Sequence, residues 1–470
     1  MKYPNLYGNM KDKNILIIGA GFAGLAAAIE LIQNNISFTI IEKSPAVGGL
    51  SQTIEIDGVR FELGPHIYFD KDIDVLQFWQ KLAGVQMESY TRNNAIFYKG
   101  KYIKSPLDPW NAFINLGPFK IAYLLTGFLF AKLKPRQIVS AEDWVKANFG
   151  TPLYENFFKV YNEKIWGLSC ADISPNWAGQ RIKSSLLTMI YKSLKRDKDF
   201  IIKTFLFPKG GSQSVYNSQL NKIKAFEKAD LFLNQSISQI TETSSGFIVN
   251  FSGNNCKEFT DIISTIHLED LYNVLKSEKI NYDVLRSSIE QLVYRNLLLV
   301  NLVFLKNDIQ NFKYHWIDIH DPNVRALRVT NFGNYDFGLS LESKVGIGVE
   351  YNCFKEDNIW NMNDSEIIEI ALSDLAYMNL TKKTPIKASV LRLSKAYPVY
   401  FKNYEAHVAT IMNEFSKVKG LYLIGRNGMY KWNNMHHSVK TGILAVRNIL
   451  GEQNDLFAVK GMVAIGKESD

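Results

Sequence analysis

Apolar residues fall along this chain in two rhythms. Asn14 to Ile18 is a short, mostly apolar run, the pattern of a strand covered on both faces of a parallel sheet. Leu25 to Ile32 has the spacing of a helix, and Phe38 to Ile41 is a second strand-like run. Farther on, Thr260 to Thr265 and Leu421 to Arg426 read as strands, the latter ending in a glycine turn, and Met435 to Leu450 reads as a helix. Leu297 to Phe304 and Val345 to Tyr351 alternate or run apolar as strands do, whereas Ile367 to Met378 repeats with helical spacing. The longest apolar stretch, Ile121 to Ala131, lies between Lys120 and Lys132. It is too short to span a bilayer. It reads as a buried helix, with contact at a membrane surface as the second reading.

These patterns predict an α/β protein. The glycine motif Gly19 to Gly24, together with the resemblance of the later segments to a known superfamily, implies a Rossmann-type dinucleotide domain in three separated pieces, 12–70, 206–265 and 415–452. A helix-rich substrate or lid domain fills 71–205, and a sheet-containing substrate domain fills 266–414. A chain of 470 residues exceeds what one compact core normally holds, which suits interleaved units.

Between the first strand and the first helix stands Gly19-Ala20-Gly21-Phe22-Ala23-Gly24, and Glu42 closes the second strand eighteen residues after Gly24. Gly19 permits the tight turn, Gly21 lets backbone approach a pyrophosphate, and Gly24 lets the helix pack on the sheet. The helix N-terminus offers free N–H groups and its positive dipole end to phosphate. Glu42 can accept hydrogen bonds from ribose hydroxyls. Strand, glycine motif, helix, strand and acid together point to a dinucleotide and leave NAD and FAD both open.

Composition narrows the rest. The net charge is +8, but no Arg-rich tail or nucleic-acid module accompanies it, so nucleic acid is not an expected partner. The basic clusters at 132–136 and 192–198 read as solvated surface. Aromatic residues make up 13% of the chain, serving either as pocket walls for planar ligands or as core filler. The cysteines, Cys170, Cys256 and Cys353, form no CxxC pair and no zinc spacing, so neither a disulfide framework nor a metal is expected. That, with a polar N-terminus lacking a signal-like apolar run, leads to an expected cytoplasmic location.

Lys43-Ser44-Pro45-Ala46-Val47-Gly48-Gly49, followed by Leu50-Ser51, continues directly from Glu42. This resembles the extended (GR2-type) fingerprint of the superfamily of FAD-dependent amine oxidases and protoporphyrinogen oxidases. The resemblance implies FAD, with Lys43, Gly48, Gly49, Leu50 and Ser51 beside it. The strand at Asp261 and the Gly425 turn resemble that superfamily's later flavin segments, with Gly425, Arg426, Asn434 and Met435 near the cofactor. No second GxGxxG follows a strand, which argues against a built-in NAD(P)H domain.

A narrower resemblance, from residue 14 to about 450, is to the UDP-galactopyranose mutases and their relatives encoded with surface-polysaccharide genes. Leu63-Gly64-Pro65-His66-Ile67-Tyr68-Phe69 is similar to the mutase segment beside the flavin, with His66 on its first histidine and Phe69 replacing the second. Tyr98 to Lys101 followed by Pro106-Leu107 matches the next mutase segment. Phe157 to Gly167 is similar to the segment whose aromatics hold the uracil and flank the sugar, here Phe158, Tyr161 and Trp166. A planar base on an aromatic face gains about 1–3 kcal/mol. Read from spacing alone, Phe158, Tyr161 and Ile165 also form a helical core stripe flanked by Trp166. Val324 to Val329 and Gly425 to His436 resemble segments that supply arginines to a substrate diphosphate, here Arg328 and Arg426, with Tyr430 and Trp432 nearby. Each arginine alone also suits a surface salt bridge. Trp432 and Asn434 depart from the mutase tyrosine and aspartate, and the wording around Val324 to Tyr335 is closer to a sister branch labelled as FAD oxidoreductases.

The mutase resemblance implies a nucleotide-diphosphate sugar substrate, an external reductant, and pyranose–furanose isomerisation through a flavin N5–sugar adduct in surface polysaccharide or glycan biosynthesis. His66, Arg328 and Arg426 are the catalytic candidates. The alternative is net hydride transfer to FAD from an amine, a sugar hydroxyl or a porphyrinogen, with an external electron acceptor. A third reading is a flavoprotein that binds without catalysing.

Overall fold

The computed structural model describes residues 13–68, 72–82, 85–105, 109–133, 137–181, 204–253, 255–309, 312–334 and 341–459. Phe69, Pro106-Leu107, the basic run 192–198 and Tyr335 lie outside the described residues.

A five-stranded sheet forms from the segments the apolar runs mark. Its order is Leu421–Leu423, Asp261–Ser264, Asn14–Ile18, Ser37–Ile41 and Ala229–Phe232, and every neighbouring pair is parallel. Ile15, Leu16 and Ile17 are fully buried because helices or a second sheet cover both faces, as parallel sheets require. The helix Phe22–Gln33 packs against Met435–Ile449 along small residues. A Cβ on Gly442 would lie 2.4 Å from the Ala23 carbonyl oxygen, so the two helices approach almost backbone to backbone.

A second, seven-stranded sheet has the order Lys387–Pro398, Tyr294–Leu305, Lys344–Cys353, Arg328–Asn331, Trp316–Ile319, Asn94–Tyr98 and Lys101–Ser105. Pairing is antiparallel except between Trp316–Ile319 and Asn94–Tyr98. The last two strands lie within 71–205, so that stretch supplies two strands of this sheet as well as helices. One face packs Leu298, Val300 and Leu302 against Ile367, Ala371 and Leu375 of the helix Asp364–Tyr377. The other face carries a row in direct register, Leu299, Glu350, Arg328, Asp318 and Ile96. Side chains alternate along a strand, so these five share one face.

The helical part includes Pro109–Leu116, Pro118–Leu133, Ala141–Phe149 and Lys159–Trp166. The run 121–131 is indeed helical, but the expected burial is not observed: in the helix Pro118–Leu133 only Leu124 and Phe128 are buried. Among the described residues its outer apolar side is exposed, with Phe119, Leu129, Phe130 and Leu133 uncovered. Tyr154–Phe158 is a π-helical turn running into Lys159–Trp166, a local widening that is often tied to functional sites. No described helix is long and apolar enough to cross a membrane.

Candidate active site

A cavity of about 1790 Å³ runs between the two sheets, larger than the roughly 300–1,000 Å³ of an ordinary small-molecule pocket. Its wall joins both sets of sequence candidates. Gly19, Gly21, Glu42, Lys43, Gly48, Gly49, Leu50 and Ser51 line one end, with Gly425, Arg426, Asn434 and Met435. His66, Phe158, Tyr161, Arg328 and Trp432 line the rest.

The glycine loop fits a dinucleotide by what surrounds each position. A Cβ on Gly24 would lie 2.0 Å from the Gly19 carbonyl oxygen, and one on Gly19 would lie 2.1 Å from Thr265 Oγ1. A Cβ on Gly21 meets nothing within 4 Å. Two glycines are therefore needed for packing inside the fold, while Gly21 faces open cavity where a pyrophosphate can approach. The helix behind it has no side-chain cap at its N-terminus, which leaves its first N–H groups for an anion. Glu42 is buried; its Oε2 accepts from the Ala20 N–H and its Oε1 from the Ser44 N–H, both at 2.8 Å. Those bonds fix the carboxylate at the end of the second strand with lone pairs left for ribose hydroxyls. Gly48 has φ +117°, a left-handed conformation open to glycine, and Ser51 Oγ is 2.7 Å from the Tyr216 hydroxyl. The Asn434 N–H donates to His437 Nδ1 at 3.1 Å at the start of the helix Met435–Ile449. These residues fit the diphosphate, ribose and ribityl parts of a flavin dinucleotide.

The opposite wall is a charged row. Arg328 Nε donates to Asp318 Oδ1 at 2.9 Å, and its Nη1 donates to Glu350 Oε2 at 3.3 Å. The Tyr161 hydroxyl donates to the same Asp318 oxygen at 2.9 Å, and the Tyr161 ring stacks on His320 at 4.5 Å. The two carboxyl groups are pushed in opposite directions. Burial raises Asp318, but the Arg328 guanidinium outweighs it and holds the carboxyl below the usual range. Burial raises Glu350 and wins over Arg328 there. Divergent carboxyl groups around one cation are a recurring active-site arrangement. Glu350 lies behind the wall: its Oε1 has no hydrogen-bond partner and faces Gly64. His66 Nδ1 is 3.8 Å from Glu62 Oε2.

Arg426 is placed differently from Arg328. It donates to the Asn433 carbonyl (3.1 and 3.0 Å) and the Ala396 carbonyl (3.3 Å), and its Cζ lies 5.0 Å from the Tyr397 ring centre. Burial pushes its guanidinium below its ordinary value, and no carboxylate among the described residues is paired with it. Tyr397 feels both arginines and Glu350, and it stacks on Trp432 at 4.6 Å.

Besides Gly24, which packs inside the fold, two candidates are not on the cavity wall. Trp166 is fully buried against Trp177, Tyr400 and Trp432. Tyr430 is buried with its one hydroxyl hydrogen shared between the Val293 and Val399 carbonyls and its oxygen accepting from the Val293 N–H. Both tie neighbouring segments together. The core-stripe reading thus describes Ile165 and Trp166, whereas Phe158 and Tyr161 reach the cavity.

Asp318, His320, Glu350 and Tyr397 had no place in the sequence reading, and Lys164, within the segment Phe157 to Gly167, had no role assigned to it. The signal for the two acids was present: each is the single acid of its strand, Asp318 among Trp316, Ile317 and Ile319, and Glu350 after the apolar run Val345 to Val349. Lys164 Nζ lies within hydrogen-bond distance of the carbonyls of Asp321 (2.8 Å), Val324 (2.6 Å), Ala326 (3.2 Å) and Ile319 (3.3 Å), which share its three hydrogens. Burial lowers its ammonium to about 8. It binds the helix bearing Tyr161 to the loop that leads into Arg328.

Comparison with known proteins agrees with this geometry. Coproporphyrinogen III oxidase of Staphylococcus aureus is 23% identical over 87% of this chain and 92% of its own length. The dTDP-fucopyranose mutase of Escherichia coli is 26% identical over 44% of this chain and 54% of its own. A crystal structure of reduced UDP-galactopyranose mutase superposes with a TM-score of 0.81 at 22% identity, covering 95% of this chain and 97% of the other; at that identity the likeness shows the fold. The family model for flavin-containing amine oxidoreductases matches residues 22–450, and the chain belongs to that family, whose membership implies FAD.

Proposed function

We propose that the chain is an FAD-dependent enzyme that isomerises the sugar of a nucleotide-diphosphate sugar between pyranose and furanose rings, in surface polysaccharide or glycan biosynthesis. The observation that carries this reading is Arg426, a buried guanidinium on the cavity wall whose hydrogen bonds reach main-chain carbonyls and whose charge no described carboxylate balances. A buried cation is costly unless an anion joins it, and a diphosphate matches the guanidinium fork. Arg328 is already balanced by Asp318, so it orients rather than captures: it holds Asp318 and Tyr161 at the wall. Phe158 and Tyr161 would supply flat surfaces for the base, and His66, on the cavity wall, is the residue that the mutase resemblance sets beside a flavin. A bound, reduced flavin would supply nucleophilic chemistry at the sugar, with no net electron transfer, and the residues lining the Gly21 end of the cavity would hold it.

The second reading, net hydride transfer to the flavin, is favoured by the length over which the staphylococcal oxidase matches this chain. One experiment separates the two. Holoenzyme reduced with dithionite is given a panel of nucleotide-diphosphate hexopyranoses, and ring isomers are resolved by liquid chromatography. The expected result is a ring isomer formed by reduced enzyme alone, without hydrogen peroxide. No isomer from any sugar, together with peroxide formation when the oxidised enzyme meets an amine, a sugar alcohol or a porphyrinogen, would overturn the isomerase reading.

A further inference from the structure

The helices Pro109–Leu116 and Pro118–Leu133 present a broad apolar surface to solvent. Phe119 is 91% exposed, Leu133 79%, Phe130 70%, Ile114 69% and Leu129 59%. The inner side is complete without them: Leu124 and Phe128 are buried, and Gly127 seats the helix so closely that a Cβ there would lie 2.3 Å from Pro152 Cγ. An apolar patch of this kind on a protein surface marks an interaction site. Charge identifies the partner. Residues 99–139 hold seven Lys or Arg, among them Lys101, Lys104, Lys120 and Lys132, against a single acid, Asp108. The same face also adjoins the cavity. Phe113 and Leu125 are exposed and, with Leu116 and Ile121, line the cavity that also holds Gly21 and Arg426.

We propose that this helical pair is a docking surface for an anionic lipid bilayer. The apolar side chains enter the acyl boundary while the lysines meet lipid phosphates, the arrangement of interfacial amphipathic helices. A second copy of the chain fits less well, because the lysines of the two faces would oppose each other. Docking sets the apolar limb of the cavity against the membrane, so the active site opens toward the bilayer.

The test is co-sedimentation of the holoenzyme with phosphatidylcholine vesicles, made with and without phosphatidylglycerol. Binding is expected only with phosphatidylglycerol, and it weakens as salt rises. Lys101→Glu with Lys132→Glu should weaken binding by about tenfold or more, as should Phe119→Ser with Phe130→Ser and Leu133→Ser. Both variants should keep the flavin spectrum, and the charge variant carries the test if the apolar one does not fold. No binding by the unaltered enzyme, equal binding to both vesicle types, or wild-type binding by the charge variant would overturn the proposal. So would a concentration-dependent dimer in sedimentation velocity that the apolar substitutions abolish.

Discussion

The parallel sheet and the seven-stranded sheet form the two walls of one cavity by different means. Along the parallel sheet the contacts come from backbone: an uncapped helix N-terminus, a glycine that leaves space at Gly21, and one carboxylate pinned by two amides. Along the other sheet they come from side chains balanced against each other, Asp318, Arg328 and Glu350 in cross-strand register. Backbone contacts demand a local motif. Side-chain balance demands partners brought together from distant strands. The first wall should therefore fail by steric change at single glycines, and the second by loss of charge compensation.

The largest expected effect tests the second wall. Arg328→Ala leaves Asp318 and Glu350 without their shared cation. Removing one member of a buried ion pair costs about 3–5 kcal/mol, and urea unfolding should show a loss of that size. A loss below about 1 kcal/mol would mean that the row is solvated and the contrast with the first wall is wrong. Next is Gly24→Ala, where the new Cβ meets the Gly19 carbonyl oxygen. Overpacking of this kind costs about 1–3 kcal/mol; purified protein should carry less flavin, read from the visible absorbance per chain.

Arg426→Met sharpens the comparison within the charged groups. It orphans no carboxylate, only the Asn433 and Ala396 carbonyls, so the stability loss should be about 1–3 kcal/mol, less than for Arg328→Ala. Affinity for a nucleotide-diphosphate sugar should fall by about 1.5–3 kcal/mol, the range for a hydrogen bond to a charged group, as measured by calorimetry on the reduced holoenzyme. Unchanged affinity would remove Arg426 from the substrate clamp.

The smallest effect is on acidification. Burial lowers His436, beside the cofactor wall, and His315, beside the seven-stranded sheet, each to about 4. An unfolded histidine titrates near 6.5. Between 6.5 and about 4 the unfolded chain binds the proton that the folded chain refuses, so stability is present above that window and is lost as pH falls through it. From pH 7.5 to pH 6 the loss is roughly 1 kcal/mol per histidine. His436→Gln and His315→Gln should each flatten part of the slope of unfolding free energy against pH.

The same contrast explains what the sequence reveals. Gly19 to Gly24 and Glu42 form a contiguous signal because backbone geometry constrains neighbours in the chain, and the strands at Asp261 and Leu421 follow from their apolar runs. Arg328 and Arg426 appear only through family resemblance, and nothing local separates the balanced one from the unbalanced one. That distinction depends on Asp318 and Glu350, ten and twenty-two positions from Arg328 in the chain yet opposite it in register. Trp166 and Tyr430 lie within matching motifs, but burial turns them toward neighbouring side chains and carbonyls. The helix at Pro118–Leu133 has an apolar sequence that local pattern equates with burial, although only its inner positions have neighbours.

The four carbonyls around Lys164 have a mechanical meaning. The helix carrying Tyr161 is latched to the loop that leads into Arg328, so the two should travel together when a ligand enters. The latch has its own wear limit. An ammonium offers three hydrogens and a neutral amine two, so above about pH 8 one tooth of the latch is lost. Amide exchange in the loop 320–327 should then quicken, ahead of any exchange in the parallel sheet.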